Sequence, residues 1–198
     1  MTLTAMRIFR TTMIGFLLAL AVFGCVKIET GYTPEEAAQS SEEAADRIRR
    51  DWAGKIRQAT PIQLAGMLVD YYTAVTNSYV NFGYETAGNW NENEKRLGRE
   101  VADAEIQKLI DDWLLTQKPV LSAYSDNINL AYNLIVESAF FQSDFLDHLV
   151  ELGDQYRETM EIAFQPRGTL EDYEYRLERV KYETETVGER AREALRAL

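Results

Sequence analysis

The chain reads as an all-α protein, an antiparallel helical bundle of four to six helices with a heptad-patterned last helix. Three observations carry that expectation. Helix-start signals recur along the 198 residues, apolar residues return every three or four positions between them, and no segment alternates with period two between hairpin turns. Short connections and amphipathic faces favour neighbouring antiparallel helices around one core.

The elements follow in order. Thr33-Pro34-Glu35-Glu36 offers an N-cap, a proline at the first helical position and a capping-box glutamate. The stripe after it is Ala45, Ile48, Trp52, Ile56 and Ala59. Thr60-Pro61-Ile62-Gln63 repeats the cap chemistry, so a second helix starts with little or no loop, its face being Leu64, Leu68, Tyr71, Val75, Tyr79 and Phe82. Gly83 and Gly88-Asn89 are expected to break it. Asn91-Glu92-Asn93-Glu94 reads as a third capping box, with Leu97, Val101, Ala104, Leu109 and Trp113 as the core face beyond.

Lys118-Pro119 is expected to interrupt that helix, because the residue before proline is pushed out of the α region. The stripe then resumes as Leu121, Tyr124, Ile128, Ala131, Ile135, Ser138, Gln142, Phe145, Leu149 and Leu152. A continuous or gently kinked element to about Leu152 is the favoured reading of residues 119–165, with breaks near Ser138 or at Gly153 as the alternative and Gly153–Gln165 helical as well. Ser138 and Gln142 stand on the expected seam, where they need hydrogen bonds, a wet cavity or a partner. Pro166-Arg167-Gly168 is a turn, and Thr169 caps a last helix. Its seam of Leu170, Tyr173, Leu177, Val180, Thr184, Val187, Ala191, Ala194 and Leu198 alternates steps of three and four. Thr184 and the alanines make that seam weak for an independent dimer, so it is expected to pack within the domain. Asp172–Arg176, Glu178–Lys181 and Glu193–Arg196 are spaced for pairs on its outer side.

The N-terminus has a different character. Arg7 and Arg10 precede an apolar run from Met13 to Phe23, and Val22-Phe23-Gly24 leads into Cys25, the single cysteine. A positive region, a short apolar region and a small-residue site form the layout of an export signal. The uncharged window, Thr11 to Val26, falls short of the ~20 residues of a membrane span. The ending resembles a bacterial lipoprotein signal, with Val22 where leucine is usual in that class. The resemblance implies cleavage before Cys25 and acylation of its thiol and new amino group. Residues 1–24 are then removed, 25–33 form an acylated cysteine with a short linker, and 34–198 form a single helical domain. Cleavage by an ordinary signal peptidase, an uncleaved short anchor and a buried N-terminal helix of a cytosolic protein are the competing readings. An anchor of two or three chains holds a protein stably to a bilayer, and an eight-residue linker reaches under ~30 Å. The implied location is extracytoplasmic. Val26 and Lys27, with no aspartate after the cysteine, point under the enterobacterial sorting convention to the periplasmic face of an outer membrane.

Removing residues 1–24 takes Arg7 and Arg10 from the 21 basic residues and none of the 32 acidic ones, for a net charge of −13. Such a domain is repelled by nucleic acid and by anionic headgroups, which argues against nucleic-acid binding and peripheral electrostatic membrane association.

The candidate chemistry is thin. His148 is the only histidine, flanked on one helical face by Asp144 and Glu151, and three such donors can hold a transition metal. A surface histidine with charged neighbours is the favoured reading of them, and neither metal nor cofactor is expected. A di-iron site needs two Glu-x-x-His motifs, and cysteine-histidine zinc is excluded by composition. No Gly-x-Ser-x-Gly and no phosphate-cradling glycine loop occurs, and acidic pairs such as Asp111-Asp112 and Glu42-Glu43 point apart on a helix. No enzyme is expected. Tyr71, Tyr72, Tyr79, Phe82, Tyr84 and Trp90, with Asn77, Asn81, Asn89 and Asn91, read either as core or as an aromatic inter-helix region that docks a ligand around Tyr79, Tyr84 and Trp90. The leading expectation is a lipid-anchored envelope protein that acts through protein contacts as a scaffold, assembly factor or accessory subunit. A small-ligand-binding bundle is the alternative.

Overall fold

A computed structural model of the chain describes residues 34–198; the signal segment 1–24, Cys25 and the linker with Thr33 lie outside them. Five helices make up the described residues: α1 Pro34–Ile56, α2 Pro61–Leu97, α3 Arg99–Glu137, α4 Ser143–Phe164 and α5 Leu170–Arg196. Among the described residues no helix is long and apolar enough to cross a membrane. The all-α bundle expected from the periodicity is what forms.

The organising element is α2, 37 residues long and so about 55 Å from end to end. It packs on α3, α4 and α5, while α1 lies against α3 and α4 against α5. Ring contacts set the directions. Tyr71 meets Tyr124 and Phe82 meets Trp113, so α2 and α3 run antiparallel. Tyr72 meets Tyr156 and Phe82 meets Phe164, so α4 runs parallel to α2. Trp90 meets Tyr173 near one end of α2 and Asp70 meets Arg192 near the other, so α5 returns antiparallel. Leu68, Val75, Ile106, Ile110, Phe145, Leu149, Tyr173 and Leu177 are buried to within 1%. Each fully buried side chain of this size stabilises by roughly 1.5–3 kcal/mol.

Two starts form as read. Thr60 and Thr169 each accept from the N3 backbone N–H while the N3 side chain, Gln63 or Asp172, accepts from the cap N–H. The α5 seam is buried at Tyr173, Leu177, Val180, Thr184, Val187 and Ala191, against the domain's own α2 and α4.

Several expectations are corrected. Gly83 and Gly88-Asn89 do not break α2, which runs on to Leu97. Gly83 lies against Leu177 of α5, where a Cβ would come 2.5 Å from one of its methyls, so the missing side chain serves close helix approach. Asn91–Glu94 therefore sit inside α2 and cap nothing. The real break is Gly98, at φ +84°, a conformation that glycine adopts without penalty. Starting α3 there rotates its core face to Ala102, Ile106 and Ile110, leaving Leu97, Val101, Ala104 and Leu109 exposed.

Pro119 does not interrupt α3, which carries on through it. The lost backbone bond is outweighed by packing on both sides, where Ile110, Val120, Ala123 and Tyr124 are buried. Finally, the favoured continuous element to Leu152 gives way to its alternative, a break near Ser138. Ala139 takes a positive φ of 50°, the Ser138 hydroxyl donates to the Ile135 carbonyl at 2.7 Å and accepts from the Phe140 N–H at 3.4 Å. Gln142 is the exposed N-cap of α4. Both polar residues thus belong to a linker and not to the seam. The expected outer pairs on α5 do not form ion pairs either: Arg176 turns to the Asp172 and Arg167 carbonyls.

Candidate functional site

The aromatic residues singled out in the sequence fall within α2 itself, not in an inter-helix loop. At about 100° per residue, Tyr79 and Trp90 share a face some 16 Å apart, while Tyr84 is turned away by about 140°. Tyr79 is buried against Tyr156 and Phe164, and Trp90 against Tyr173. Tyr84 stands 36% exposed beside α5, and the two nearby carboxylates, Glu178 and Glu174, add to burial in raising its phenol. The three are not brought together around one cavity.

What α2 does assemble is a string of polar tips inside the core. The Trp52 indole N–H donates to the Asn127 carbonyl at 3.1 Å. The Asn127 amide, 4% exposed, donates to the Ile48 carbonyl and to the Tyr71 hydroxyl, each at 3.4 Å. Further along, the Tyr156 hydroxyl lies 3.5 Å from that of Tyr79 and 3.2 Å from Ser125 Oγ, joining α2, α3 and α4. The tyrosines supply large apolar area while their hydroxyls find partners, which is how a buried Tyr avoids a desolvation cost. Burial pushes the Tyr72 and Tyr124 phenols up to about 12. Tyr71, Tyr79 and Tyr173 move in the same direction for the same reason. At neutral pH these phenols are protonated; the Tyr71 and Tyr79 hydroxyls tie α2 to α3 and α4, and the Tyr173 hydroxyl donates to the Ala163 carbonyl of α4. Of the asparagines on this stretch of α3, Asn127 is buried, while Asn129 and Asn133 are exposed.

Around His148, the imidazole Nδ1 lies 3.6 Å from one Glu151 oxygen, and the other oxygen takes Arg190 of α5 at 3.3 Å. Asp144 accepts from the Ser143 hydroxyl at 3.2 Å. Among the described residues no group of three His, Cys, Asp or Glu side chains is placed to hold a metal ion. A surface depression of about 170 Å³ opens between the end of α4 and the start of α5, lined by Glu158, Glu161, Ile162, Gln165, Arg167 and Arg176. Small-molecule sites run to roughly 300–1,000 Å³.

The outer surface is richer. Val101, Leu115, Leu130 and Phe140 stand exposed on or beside α3, and Leu115 reaches 74% exposure. On α5, Tyr175 and Tyr182 are 67% and 71% exposed. The apolar pattern of α5 is dominated by the buried seam on its other side, which hides these two in the sequence. Their spacing of seven was the available signal. No protein-family model, curated protein or solved structure matches the chain.

Proposed function

We propose that the protein is a lipid-anchored, extracytoplasmic helical bundle that acts without catalysis through contacts with other proteins, as a scaffold, assembly factor or accessory subunit. The observation that carries the reading is the Arg7/Arg10 region, apolar run and Val22-Phe23-Gly24-Cys25 ending, which gives the chain an address and an attachment point. The outward apolar and aromatic side chains of α3 and α5 support it, since contact surfaces enrich such residues. The polar network between α2 and its neighbours is read as the device that keeps those faces in fixed relation.

Labelling with a fatty-acid analogue in a bacterial host, followed by intact-mass measurement and crosslinked affinity capture, tests the proposal. The expected outcome is an acylated chain beginning at Cys25 with a crosslinked protein partner, and loss of both acylation and membrane recovery in Cys25→Ala. A chain that retains residues 1–24 unacylated, or that is recovered alone after crosslinking, refutes it.

A further inference from the structure

α5 carries a second line of residues opposite its buried seam. Glu171, Tyr175, Glu178, Tyr182, Glu185 and Glu189 follow at steps of four, three, four, three and four, so they share one face of the helix. All six are exposed. The two tyrosines stand one heptad apart, about 10.5 Å along the axis, and no neighbouring helix covers them.

The charge on this line is mostly negative: four of the five arginines of α5 are drawn away to its flanks, while Lys181 beside Glu178 and Arg196 in the last turn stay exposed. Arg179 reaches Glu158 of α4 and Glu183. Arg190 reaches Glu151, Arg192 reaches Asp70 of α2, and Arg176 is held by backbone carbonyls. Glu189 meets Arg192 at 2.8 Å, whereas Glu171, Glu178 and Glu185 make no ion pair. The result is a ridge of two phenol faces set among carboxylates.

We infer that this outer ridge of α5 is a docking surface for a basic helix of a partner protein. Resting on the protein-contact reading above, the inference adds which face makes the contact and what chemistry the partner presents. Heptad spacing matches the ridge to a second helix packed alongside at a shallow angle. Lysine or arginine on that helix lays its hydrocarbon stem across a tyrosine face, where the cation meets the ring quadrupole. Its head then reaches the adjacent glutamates, a charge-assisted pairing. A second copy of this chain is a poor occupant, because its ridge would set glutamate against glutamate. An anionic lipid surface is repelled for the same reason.

The test uses the full chain in intact cells, with a photo-crosslinking amino acid placed singly at positions 175, 182, 115 and 140. Crosslinked peptides from 175 and 182 are mapped by mass spectrometry, and the mapped segment is synthesised and titrated against the purified protein. The expected result is a segment of another protein with lysine or arginine at three- and four-residue spacing. Its affinity should fall roughly tenfold or more in Tyr175→Ala/Tyr182→Ala and in Glu178→Gln/Glu185→Gln, with helicity unchanged, and should weaken with salt. Crosslinks from 175 and 182 to a second copy, to lipid or to a segment without excess positive charge overturn it. If positions 115 or 140 capture a protein and 175 and 182 do not, the ridge is wrong and the protein-contact reading stands. If none of the four captures a protein, both fall.

Discussion

Replacing Gly83 with alanine should destabilise the bundle, although alanine is the better helix former. Gly83 lies inside α2, so relief of glycine's backbone entropy contributes about 1 kcal/mol of stabilisation. Against that, the new Cβ would lie 2.5 and 2.8 Å from the two Leu177 methyls and 3.2 Å from Leu177 Cγ. Leu177 is fully buried on α5, so its methyls can give way only by shifting the side chains packed around them. Overpacking of that kind costs about 1–3 kcal/mol, and the net expectation is a loss of up to about 2 kcal/mol. Gly88, five residues on in the same helix, is the matched control, since nothing lies within 4 Å of its would-be Cβ. Gly88→Ala should therefore stabilise by about 1 kcal/mol. Urea unfolding followed by far-UV circular dichroism, with the slope checked for constancy, reads both differences directly. Gly83→Ala matching Gly88→Ala in sign would refute the claim that Gly83 is there for the approach of α5.

Three other perturbations bear on the interior and on α3. Above pH 10 the unfolded chain releases phenol protons that buried Tyr72 and Tyr124, held up to about 12, retain. Stability present below pH 10 should thus fall as pH rises towards 12, by about 2.7 kcal/mol per ring at the limit, as read by urea midpoints across the alkaline range; a flat profile refutes it. Asn127→Ala removes the donor to the Ile48 carbonyl and the Tyr71 hydroxyl and should cost about 1–3 kcal/mol in thermal unfolding, with no effect expected if the network is incidental. Pro119→Ala restores a backbone donor within continuous α3 and should raise stability by about 1–3 kcal/mol; a destabilised variant would mean that α3 depends on a bend there.

Parts of this fold stand openly in the chain and parts are concealed. The seam of α5 was legible from Tyr173 to Ala191, because a turn with Pro166 and Gly168 fixes its start and the three-four spacing holds that far; Leu170 and Ala194 are only half-buried and Leu198 is exposed. The start of α2 was legible too, through Thr60 and Gln63. Misreadings came where punctuation residues served packing or were overridden. Gly83 admits Leu177, and Pro119 is carried by the burial around it. Asn91–Glu94 imitate a cap on an exposed stretch of helix. The opposite failure is the linker at 138–142, which contains neither glycine nor proline and is made instead by Ala139 in a left-handed conformation stabilised by Ser138. The buried tyrosine network was half legible: the rings were noted, but their hydroxyl partners on α3 and α4 are tens of residues distant and carry no local mark.

The position of α2 at the centre of the bundle governs the order in which the chain can fold. One side of it closes through the α3 hairpin, with a single residue, Gly98, between the helices. The other side waits for α4 and α5, and the Asp70–Arg192 pair spans 122 residues of sequence. Loop closure over such separations is slow relative to hairpin formation. A chain emerging from its N-terminus would therefore present the Tyr72 and Tyr79 side of α2 to solvent until α4 arrived, and the Gly83 and Trp90 positions until α5 did. Pulse-labelled hydrogen exchange should find the α2–α3 hairpin protected first and α5 last.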